Sequence, residues 1–477
     1  MADRLGPRDV AFLVEESVTA PRHNATLDIL DPGDSGLDYA AFLELVADRL
    51  SFVPRYRQRV QVVPGRLAAP VWIDDDRFDL EYHVRRSAVP RPGDLDQLRD
   101  LAARIISRPL DRTRPLWEIY FVEGLENDRV AVLTKTHQAL VDGVATVDLG
   151  QLLLDVRPDV GGLGADTWQP RSTSGPALLL GAVRDSLTDV EMLSVTARGA
   201  SHWVARRASG LLGVVTGAAT QILGNGHERG TPLAGTLSQS RLVVALETRL
   251  DDYRLIREAH GGTINDVILA VVAGGLRTWL MTRAESLRGI RQLLAVVPVS
   301  VIDSDLEATS MGSQIAPHYV ELPVGEVSPV VRLHQLSYSF DAHAATGRAV
   351  AADKLAGITG FAPATFHAMG SRLAAAESEK GFVLPVTNVP GPQSPRYAAG
   401  ARLLASYPIH PLLPGHALSV GVTSYDGRVF FGLTVDRDLI PDADVLGHCF
   451  IEALDELRDT ADGGRQRAPR GRREEPR

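Results

Sequence analysis

The chain has 477 residues, of which 44% are hydrophobic and 23% are charged, and its formal net charge at pH 7 is −9. The length predicts more than one domain, and the composition is typical of a globular chain rather than a disordered one. The acidic charge balance excludes a general nucleic-acid-binding protein, because such proteins need a basic surface to displace counterions.

The first block of the sequence, from Leu5 to about Val156, alternates strand-like and helix-like patterns. Turn-forming residues at Glu126, Asn127 and Asp128 separate two of the strands, as in a hairpin. Apolar spacing predicts strands at Ala25–Leu30, Trp117–Val122 and Val130–Thr136, and helices at Asp38–Leu50 and Leu95–Ile106.

A connector follows this block, because Gly, Pro, Ser and Thr cluster at Gly161–Pro176 and polar glycine-rich sequence returns at Gly224–Gly235. The most apolar stretch, Ala208–Gly224, is shorter than the ~20 residues that a membrane-spanning helix needs. We therefore expect no spanning helix here. The alternative interpretation is an amphipathic segment that rests on a lipid surface, because Arg206 and Arg207 flank the stretch.

The second block again alternates strands and helices, so that both halves of the chain predict α/β layers. A hairpin turn is predicted at Tyr425–Asp426–Gly427, between the last two strands. The predicted strands are Arg241–Glu247, Leu293–Val299, Ile315–Leu322, Leu418–Thr423 and Val429–Val435, and the predicted helices are Leu250–His260 and Asn265–Leu280.

The C-terminal region carries two features that bear on location. The tail from Ala461 to Arg477 is rich in Gly, Pro and Arg and is predicted to be disordered, with a weak tether to an anionic membrane surface as the alternative. Cys449 is the single cysteine, so no intrachain disulfide can form. A lone thiol suits a reducing cytoplasm.

The segment that carries chemistry is Lys135–Gly143, in which a predicted strand ends in a polar cluster and a glycine turn, and an apolar helix begins around Val144. A strand end supported by a rigid sheet is a common place for catalytic side chains. Taken alone, His137 in this position is more often structural than catalytic.

Seven sequence motifs lie in and around this segment. They are PVWIDDDRFDLEYHV at 70–84, LDRTRPLWE at 110–118, HQALVDG at 137–143, TINDVILAVVAGGL at 263–276, VPVS at 297–300, TNVPGP at 387–392 and SYDGRVFFGLTVDRDLIPD at 424–442. In their order and spacing, these motifs resemble the bacterial wax ester synthase/diacylglycerol acyltransferase family. The amino-terminal sequence LGPRDVAFLVEE is similar to the signature of that family as well.

This resemblance implies an α/β fold like that of chloramphenicol acetyltransferase, with two domains that enclose a tunnel. Acyl-CoA enters from one face, and diacylglycerol or a long-chain alcohol from the other. The expected organisation is an acyltransferase domain at 1–160, a connector at 161–240, a second acyltransferase domain at 241–460 and a disordered tail at 461–477. No metal and no cofactor other than the co-substrate acyl-CoA is implied.

Family members carry HHxxxDG, in which the second His is the general base and the Asp holds the loop. Here Asp142 and Gly143 match, the first His is His137, and the second position holds Gln138. An amide cannot take up the proton, and loss of a positioned base typically costs ~10²–10⁴ in rate. Gln138 can still orient the hydroxyl or donate to an oxyanion. If the segment is extended, His137 faces away from the tunnel and Gln138 faces into it.

Two further motifs supply candidate substrate-binding residues. Asn265 and Asp266 look like a helix cap, with Asn265 accepting from free backbone N–H groups, and the family adds a role in shaping the tunnel. Asn388, Pro390 and Gly391 are predicted to form a turn whose glycine permits close backbone approach, and in the family this loop lies near the acyl-CoA path.

The RPLWE motif is interpreted as structural. Arg114 is expected to pair with an acidic group, whereas Pro115, Leu116 and Trp117 are expected in the core. A packing role is favoured over a direct role in chemistry.

Three interpretations of function remain at this point. The first is an active acyl-CoA-dependent O-acyltransferase with another proton relay, and the second is a weak or inactive relative that binds acyl-CoA or neutral lipid. The third is a carrier-protein-dependent acyltransferase or condensation-type domain, which the RPLWE and NVPGP segments disfavour. A cytoplasmic location with peripheral association at a membrane or lipid droplets is expected from the insolubility of the substrates.

Overall fold

The computed structural model describes residues 3–63, 69–140, 149–159, 231–283, 292–300, 315–344, 363–376 and 381–462, with a few residues between 160 and 171. In the first half of the chain the elements are β1 Asp3–Arg4, α1 Pro7–Glu15, β2 His23–Asp31, α2 Tyr39–Leu50, β3 Gln58–Gln61, β4 Val71–Asp74, α3 Leu80–His83, β5 Val84–Ala88, α4 Leu95–Ile106, β6 Trp117–Glu123, β7 Val130–His137 and α5 Leu149–Leu152.

The second half contributes the larger helices. Its elements are β8 Arg241–Arg249, α6 Leu250–His260, α7 Ile264–Thr282, β9 Leu293–Ser300, β10 Ile315–Leu322, α8 Pro329–Ala344, α9 Pro363–Ala376, β11 Leu384–Pro390, β12 Tyr397–Ala398, β13 Ala401–Ile409, β14 Leu418–Tyr425, β15 Arg428–Asp436 and α10 Ala443–Ala461.

Two six-stranded sheets form the framework, in the orders β12-β13-β2-β7-β6-β5 and β10-β9-β11-β14-β15-β8. In the first sheet only β5 and β6 are parallel, whereas in the second β11 runs parallel to both β9 and β14. A small three-stranded sheet, β1-β4-β3, lies apart from them. Helices α2 and α4 pack on the first sheet, and α6, α7 and α10 on the second, so each large sheet has its own core.

The two sheets do not coincide with the two halves of the sequence. Strands β12 and β13 come from the second half, yet β13 pairs antiparallel with β2 in the first sheet, from Arg402 opposite Asp31 to Ile409 opposite Ala25. Strand β13 also lies against β15 of the second sheet, where a Cβ on Gly432 would stand 1.8 Å from the carbonyl oxygen of Pro408. The backbones of the two sheets therefore meet at β13.

The long helix α7 is the centre of the second core. Thr263 caps its N-terminus, and most of its side chains from Val267 to Leu280 are buried. Among the described residues it alone has the length and mean hydropathy of a membrane span, but 72% of its most apolar window is buried inside the protein. Packing within the core accounts for its apolar composition.

The strands and helices predicted from apolar spacing are confirmed to within a few residues at their ends. The hairpin turn between β14 and β15 is also confirmed, with Asp426 and Gly427 at φ 46° and 77°. The elements that were not predicted are helices α1, α3, α5, α8, α9 and α10 and strands β1, β3, β4, β5, β11, β12 and β13. The expected helix start near Val144, most of the connector and the tail beyond 462 lie outside the described residues.

One predicted turn is wrong. Asn388 and Pro390 were expected in a turn, but both lie in β11, opposite Val422 and Ser424 of β14. Pro390 is the last residue of the strand. The turn begins only at Gly391, where a Cβ would stand 2.2 Å from the carbonyl oxygen of Ser424. The close backbone approach expected of this glycine is therefore present.

Candidate active site

The polar segment singled out in the sequence begins at the end of β7, a strand whose eight residues are all buried. The backbone N–H of His137 donates to the carbonyl of Leu116 at 3.0 Å, and that of Gln138 donates to the carbonyl of Arg22 at 2.8 Å. Because neighbouring segments hold both sides of this strand end, the direction of each side chain is fixed by the sheet.

His137 is hydrogen-bonded through one ring nitrogen, and its other ring nitrogen, which is buried, has no hydrogen-bond partner among the described residues. Its Nδ1 accepts from the N–H of Ala139 at 3.0 Å, so the proton of the neutral ring sits on Nε2. Nε2 lies 3.6 Å from Oε1 of Glu16. Burial raises the pKa of Glu16, but His137, the N–H of Arg22 and Arg112 outweigh it and hold that pKa well below its ordinary value. His137 thus faces an ionised carboxylate.

Gln138 points the other way, as the alternation of an extended strand predicts. Its Nε2 lies 2.7 Å from the hydroxyl oxygen of Ser371 in α9. Its Oε1 is buried and has no hydrogen-bond partner among the described residues. Its backbone carbonyl accepts from Arg372, which also pairs with Asp9 at 2.6 Å. Gln138 therefore sits where helix α9 meets the first sheet.

A buried polar cluster continues from this contact, and we call it the junction cluster. It consists of Gln138, Ser371, His367, Thr387, His410 and Asn24. The hydroxyl of Thr387 lies between two imidazoles, 3.0 Å from Nδ1 of His367 and 2.6 Å from Nε2 of His410. Nδ1 of His410 lies 3.5 Å from Oδ1 of Asn24. The cluster joins elements of both sheets.

The two imidazoles of the junction cluster are neutral near pH 7. Burial lowers the pKa of His410 to about 3. Burial and the neighbouring His410 ring lower the pKa of His367 well below its ordinary value. Both rings therefore present an unprotonated nitrogen under physiological conditions.

Two small clefts meet at His410. One is lined by Ser371, Thr387 and Ser419, and the other by His23 and Arg241 together with apolar side chains. His410 therefore borders both clefts. The HQALVDG residues Asp142 and Gly143, which were predicted as part of the site, lie outside the described residues.

The predicted residues at the start of α7 have separate structural roles. The helix cap is Thr263 and not Asn265: its hydroxyl accepts from the N–H of Asp266 at 3.2 Å, and Asp266 accepts from the N–H of Thr263 at 2.8 Å. The sequence favoured Asn265 because Asn is a good cap, but Thr followed three residues later by an acidic residue forms a capping box. Asn265 instead accepts from the amide of Asn388 at 3.1 Å, which ties α7 to β11.

The RPLWE residues pack beneath the strand end. Pro115, Leu116 and Trp117 are buried, and the indole N–H of Trp117 donates to the carbonyl of Tyr56 at 2.7 Å. The Arg114 guanidinium lies over the ring of Tyr82, 4.2 Å from its centre. Among the described residues its closest side-chain contact is thus a cation–π interaction, and the expected ion pair is not seen there.

Sequence reasoning missed five members of the junction cluster: Asn24, Ser371, His367, Thr387 and His410. Thr387 opens the TNVPGP motif but was not singled out, and only the fold brings the five residues together. The one local signal is His410, a polar ring inside the otherwise apolar run Tyr407–Leu413.

Comparison with known families covers most of the chain. The model of the wax ester synthase/diacylglycerol acyltransferase catalytic domain matches residues 5–268, and the model of the C-terminal domain of the same proteins matches residues 311–458. Both matches include residues of the junction cluster. Gln138 lies in the first and His410 in the second.

Named relatives include probable diacylglycerol O-acyltransferases of Mycobacterium tuberculosis. One is 43% identical over 266 residues, which are 54% of this chain and 97% of that protein. Another is 31% identical over 421 residues, 88% of each chain. A third is 31% identical over 445 residues, 92% of this chain and 95% of its own length.

Solved structures support the fold. The wax ester synthase/diacylglycerol acyltransferase of Marinobacter aquaeolei VT8 is 25% identical, covers 96% of this chain and 100% of its own, and superposes with a TM-score of 0.67. The first condensation domain of the CDA synthetase is 14% identical and has a TM-score of 0.52. The match covers 96% of this chain and 97% of that domain. These neighbours share the chloramphenicol acetyltransferase-like α/β fold, as the sequence predicted.

Proposed function

The chain belongs to the wax ester synthase/diacylglycerol acyltransferase family, and on that premise we propose that it moves a long-chain acyl group from acyl-CoA to diacylglycerol or a long-chain alcohol. The observation that carries the proposal is the placement of Gln138. Its side chain is fully buried at the end of β7, and its carboxamide is held by Ser371. A buried carboxamide with a free hydrogen-bonding atom either binds a reactant or costs free energy of folding, because its desolvation is not compensated.

Gln138 acts in this proposal as a hydrogen-bonding residue and not as a base, because a carboxamide has no group that takes up a proton near neutral pH. A half-turn of the carboxamide exchanges its oxygen and nitrogen without changing its shape. Ser371 then donates to Oε1, and Nε2 occupies the position that now has no partner among the described residues. From there it donates to the oxyanion that develops on the thioester carbonyl.

His137 has a positioning role in the proposal. Its Nδ1 accepts from the N–H of Ala139 and its Nε2 faces Oε1 of Glu16 at 3.6 Å, on the side of the strand opposite to Gln138. Asn265, Asp266 and Asn388 shape the wall of the site between α7 and β11, and acyl-CoA is the only co-substrate required.

The test is release of CoA from palmitoyl-CoA by the purified protein, with diacylglycerol or hexadecanol as acceptor. A reaction without acceptor is the control, because it separates acyl transfer from hydrolysis. We expect acceptor-dependent CoA release that increases in Gln138→His. Absence of release from the parent, together with release by Gln138→His, would overturn the proposal.

That second pattern would favour the alternative function, a lipid-binding family member without turnover. The observation that favours it is the absence of a titratable side chain at position 138. Loss of the parent's activity in His137→Ala, with unchanged binding of acyl-CoA and unchanged stability, would instead make His137 the base.

The proposed location is the cytoplasm, with peripheral contact at a membrane or a lipid droplet. The acceptor alcohols and their esters are insoluble in water, so the enzyme has to meet them at a lipid surface. Flotation of the protein with vesicles that contain diacylglycerol tests this, and protein that stays at the bottom of the gradient would contradict it.

A further inference from the structure

The junction cluster contains a continuous chain of contacts that ends in an unused nitrogen atom. Oδ1 of Asn24 faces Nδ1 of His410 at 3.5 Å, and Nε2 of His410 faces the hydroxyl of Thr387 at 2.6 Å. The same hydroxyl lies 3.0 Å from Nδ1 of His367. The last atom of the series, Nε2 of His367, is buried and has no hydrogen-bond partner among the described residues.

One arrangement of protons satisfies every contact of this series when Oδ1 of Asn24 faces His410. With that oxygen as the acceptor, Nδ1 of His410 carries a hydrogen and its Nε2 does not. Nε2 of His410 therefore accepts from the hydroxyl of Thr387, whose oxygen is left to accept from Nδ1–H of His367. In this arrangement Nε2 of His367 carries a free lone pair.

His367 is also near the residue that replaces the usual base. It lies four residues before Ser371 on α9, so the two side chains share one face of the helix, with their Cβ atoms about 5–6 Å apart. Ser371 is in hydrogen-bond contact with the carboxamide of Gln138. His367 is therefore one helical turn from the residue that holds the Gln138 side chain.

We propose that His367 is the general base that replaces the missing histidine at position 138. The inference rests on the proposed acyltransferase function. Nε2 of His367 takes the proton of the acceptor hydroxyl while the hydroxyl oxygen attacks the thioester carbonyl. The new C–O bond forms and the C–S bond breaks. The CoA thiolate then takes the proton back from the imidazolium and leaves as a thiol.

Thr387 and His410 are positioning residues in this proposal, since they act through His367. The two hydrogen bonds of Thr387 orient both rings, and His410 stays uncharged because burial lowers its pKa to about 3. A ring held in one tautomer by a neighbouring group is the usual way in which proteins prepare a histidine for proton transfer.

The first arm of the test is His367→Gln in the full chain, assayed by acceptor-dependent CoA release. We expect kcat to fall by about 10²–10⁴-fold, as on the loss of a positioned base, with little change in KM. His83→Gln is the matched control, because His83 is also buried, with its Nε2 unpartnered among the described residues, but lies outside the junction cluster. This control should keep the parent's kcat.

The second arm separates chemistry from packing. In Gln138→His/His367→Gln a base stands again at the family position, so activity should return to that of Gln138→His. A His367 that matters only for packing would not be rescued in this way. Circular dichroism and the Kd for palmitoyl-CoA, measured by calorimetry, check that each variant is folded and binds.

The third arm tests the positioning residue. Thr387→Val keeps the shape of the side chain but removes its hydroxyl. It should lower kcat about 10–100-fold, the range seen on loss of a group that orients a metal-binding histidine. Thr387→Ser keeps the hydroxyl and should stay close to the parent.

The outcomes distinguish the two proposals. If the parent is active and His367→Gln keeps its kcat within a few-fold, or if the double variant stays as slow as the single, His367 is not the base and the acyltransferase function stands. If CoA is released only by the variants that carry Gln138→His, and not by the parent, the proposed function fails and the base assignment fails with it.

Discussion

The carboxamide nitrogen of Gln138 lies 2.7 Å from the hydroxyl oxygen of Ser371. Both side chains are buried, and they belong to elements far apart in the sequence, the end of β7 and the middle of α9. This contact is therefore a polar link between the first sheet and a helix that packs on the second.

A double-mutant cycle on this pair should show coupling. Gln138→Ala and Ser371→Ala each leave a buried polar partner unsatisfied, so each should lower the free energy of unfolding by about 1–3 kcal/mol. The loss of unfolding free energy in the double variant should be smaller than the sum of the losses in the two single variants, by at least about 0.5 kcal/mol. Urea unfolding of the four proteins measures this, and strictly additive values would contradict a direct hydrogen bond.

Breaking the ion pair between Arg372 and Asp9 should be costly. Arg372 binds both the carbonyl of Gln138 and the buried carboxylate of Asp9, and Arg372→Met removes both of these contacts. We expect a loss of about 3–5 kcal/mol, as for other buried pairs broken on one side.

The matched control for this change is Arg402→Met. Arg402 pairs with Asp426 at 2.8 Å, but its side chain is 51% exposed. Loss of such a pair should cost no more than about 1 kcal/mol. Equal midpoints of urea unfolding for Arg372→Met and Arg402→Met would show that burial adds nothing to the first pair.

The opposite directions of His137 and Gln138 could be predicted from the sequence, because side chains alternate along any extended strand. The partners that those side chains meet could not. Glu16 and Ser371 are distant in the sequence, and no local pattern specifies them. Strand β13 shows the same limit: its period-2 burial is local, but its pairing with β2 is decided by tertiary packing.

The close approach of the two sheets at β13 should make Gly432 intolerant of substitution. A Cβ in Gly432→Ala would stand 1.8 Å from the backbone oxygen of Pro408, so one of the strands has to move. We expect a loss of more than about 4 kcal/mol, which is exceptional for a single methyl group.

Gly427→Ala is the comparison for this variant. Its Cβ would meet nothing within 4 Å, and only its left-handed φ of 77° opposes the change, at about 1–2 kcal/mol. Thermal unfolding of both variants checks that Gly432→Ala is the less stable of the two. A Gly432→Ala protein as stable as Gly427→Ala would contradict the contact between the strands.

His83 should make stability depend on pH. Burial lowers its pKa to about 4 despite the hydrogen bond to the carbonyl of Trp117. Below the ordinary histidine pKa near 6.5, the unfolded chain binds a proton that the folded chain does not, so stability falls as pH decreases from about 6.5 toward 4. The slope for one group is at most about 1.4 kcal/mol per pH unit.

The measurement is urea unfolding at pH 7, 6 and 5 for the parent and His83→Gln. The other buried histidines are present in both proteins, so the difference between the two slopes belongs to His83. The variant should lose less stability than the parent on acidification. Parallel lines for the two proteins would show that His83 has the same pKa in both states.

The pairing of β13 with β2 has a consequence for synthesis of the chain. Strand β2 ends at Asp31, and the strand that covers its outer edge begins only at Ala401. At translation rates of about 5–20 residues per second, that edge stays unpaired for roughly tens of seconds before β13 is synthesised. During this time an unpaired strand edge is open to pairing with other chains. Slow translation or truncation before β13 should therefore favour aggregation, even though every residue of the HQALVDG motif has already been made.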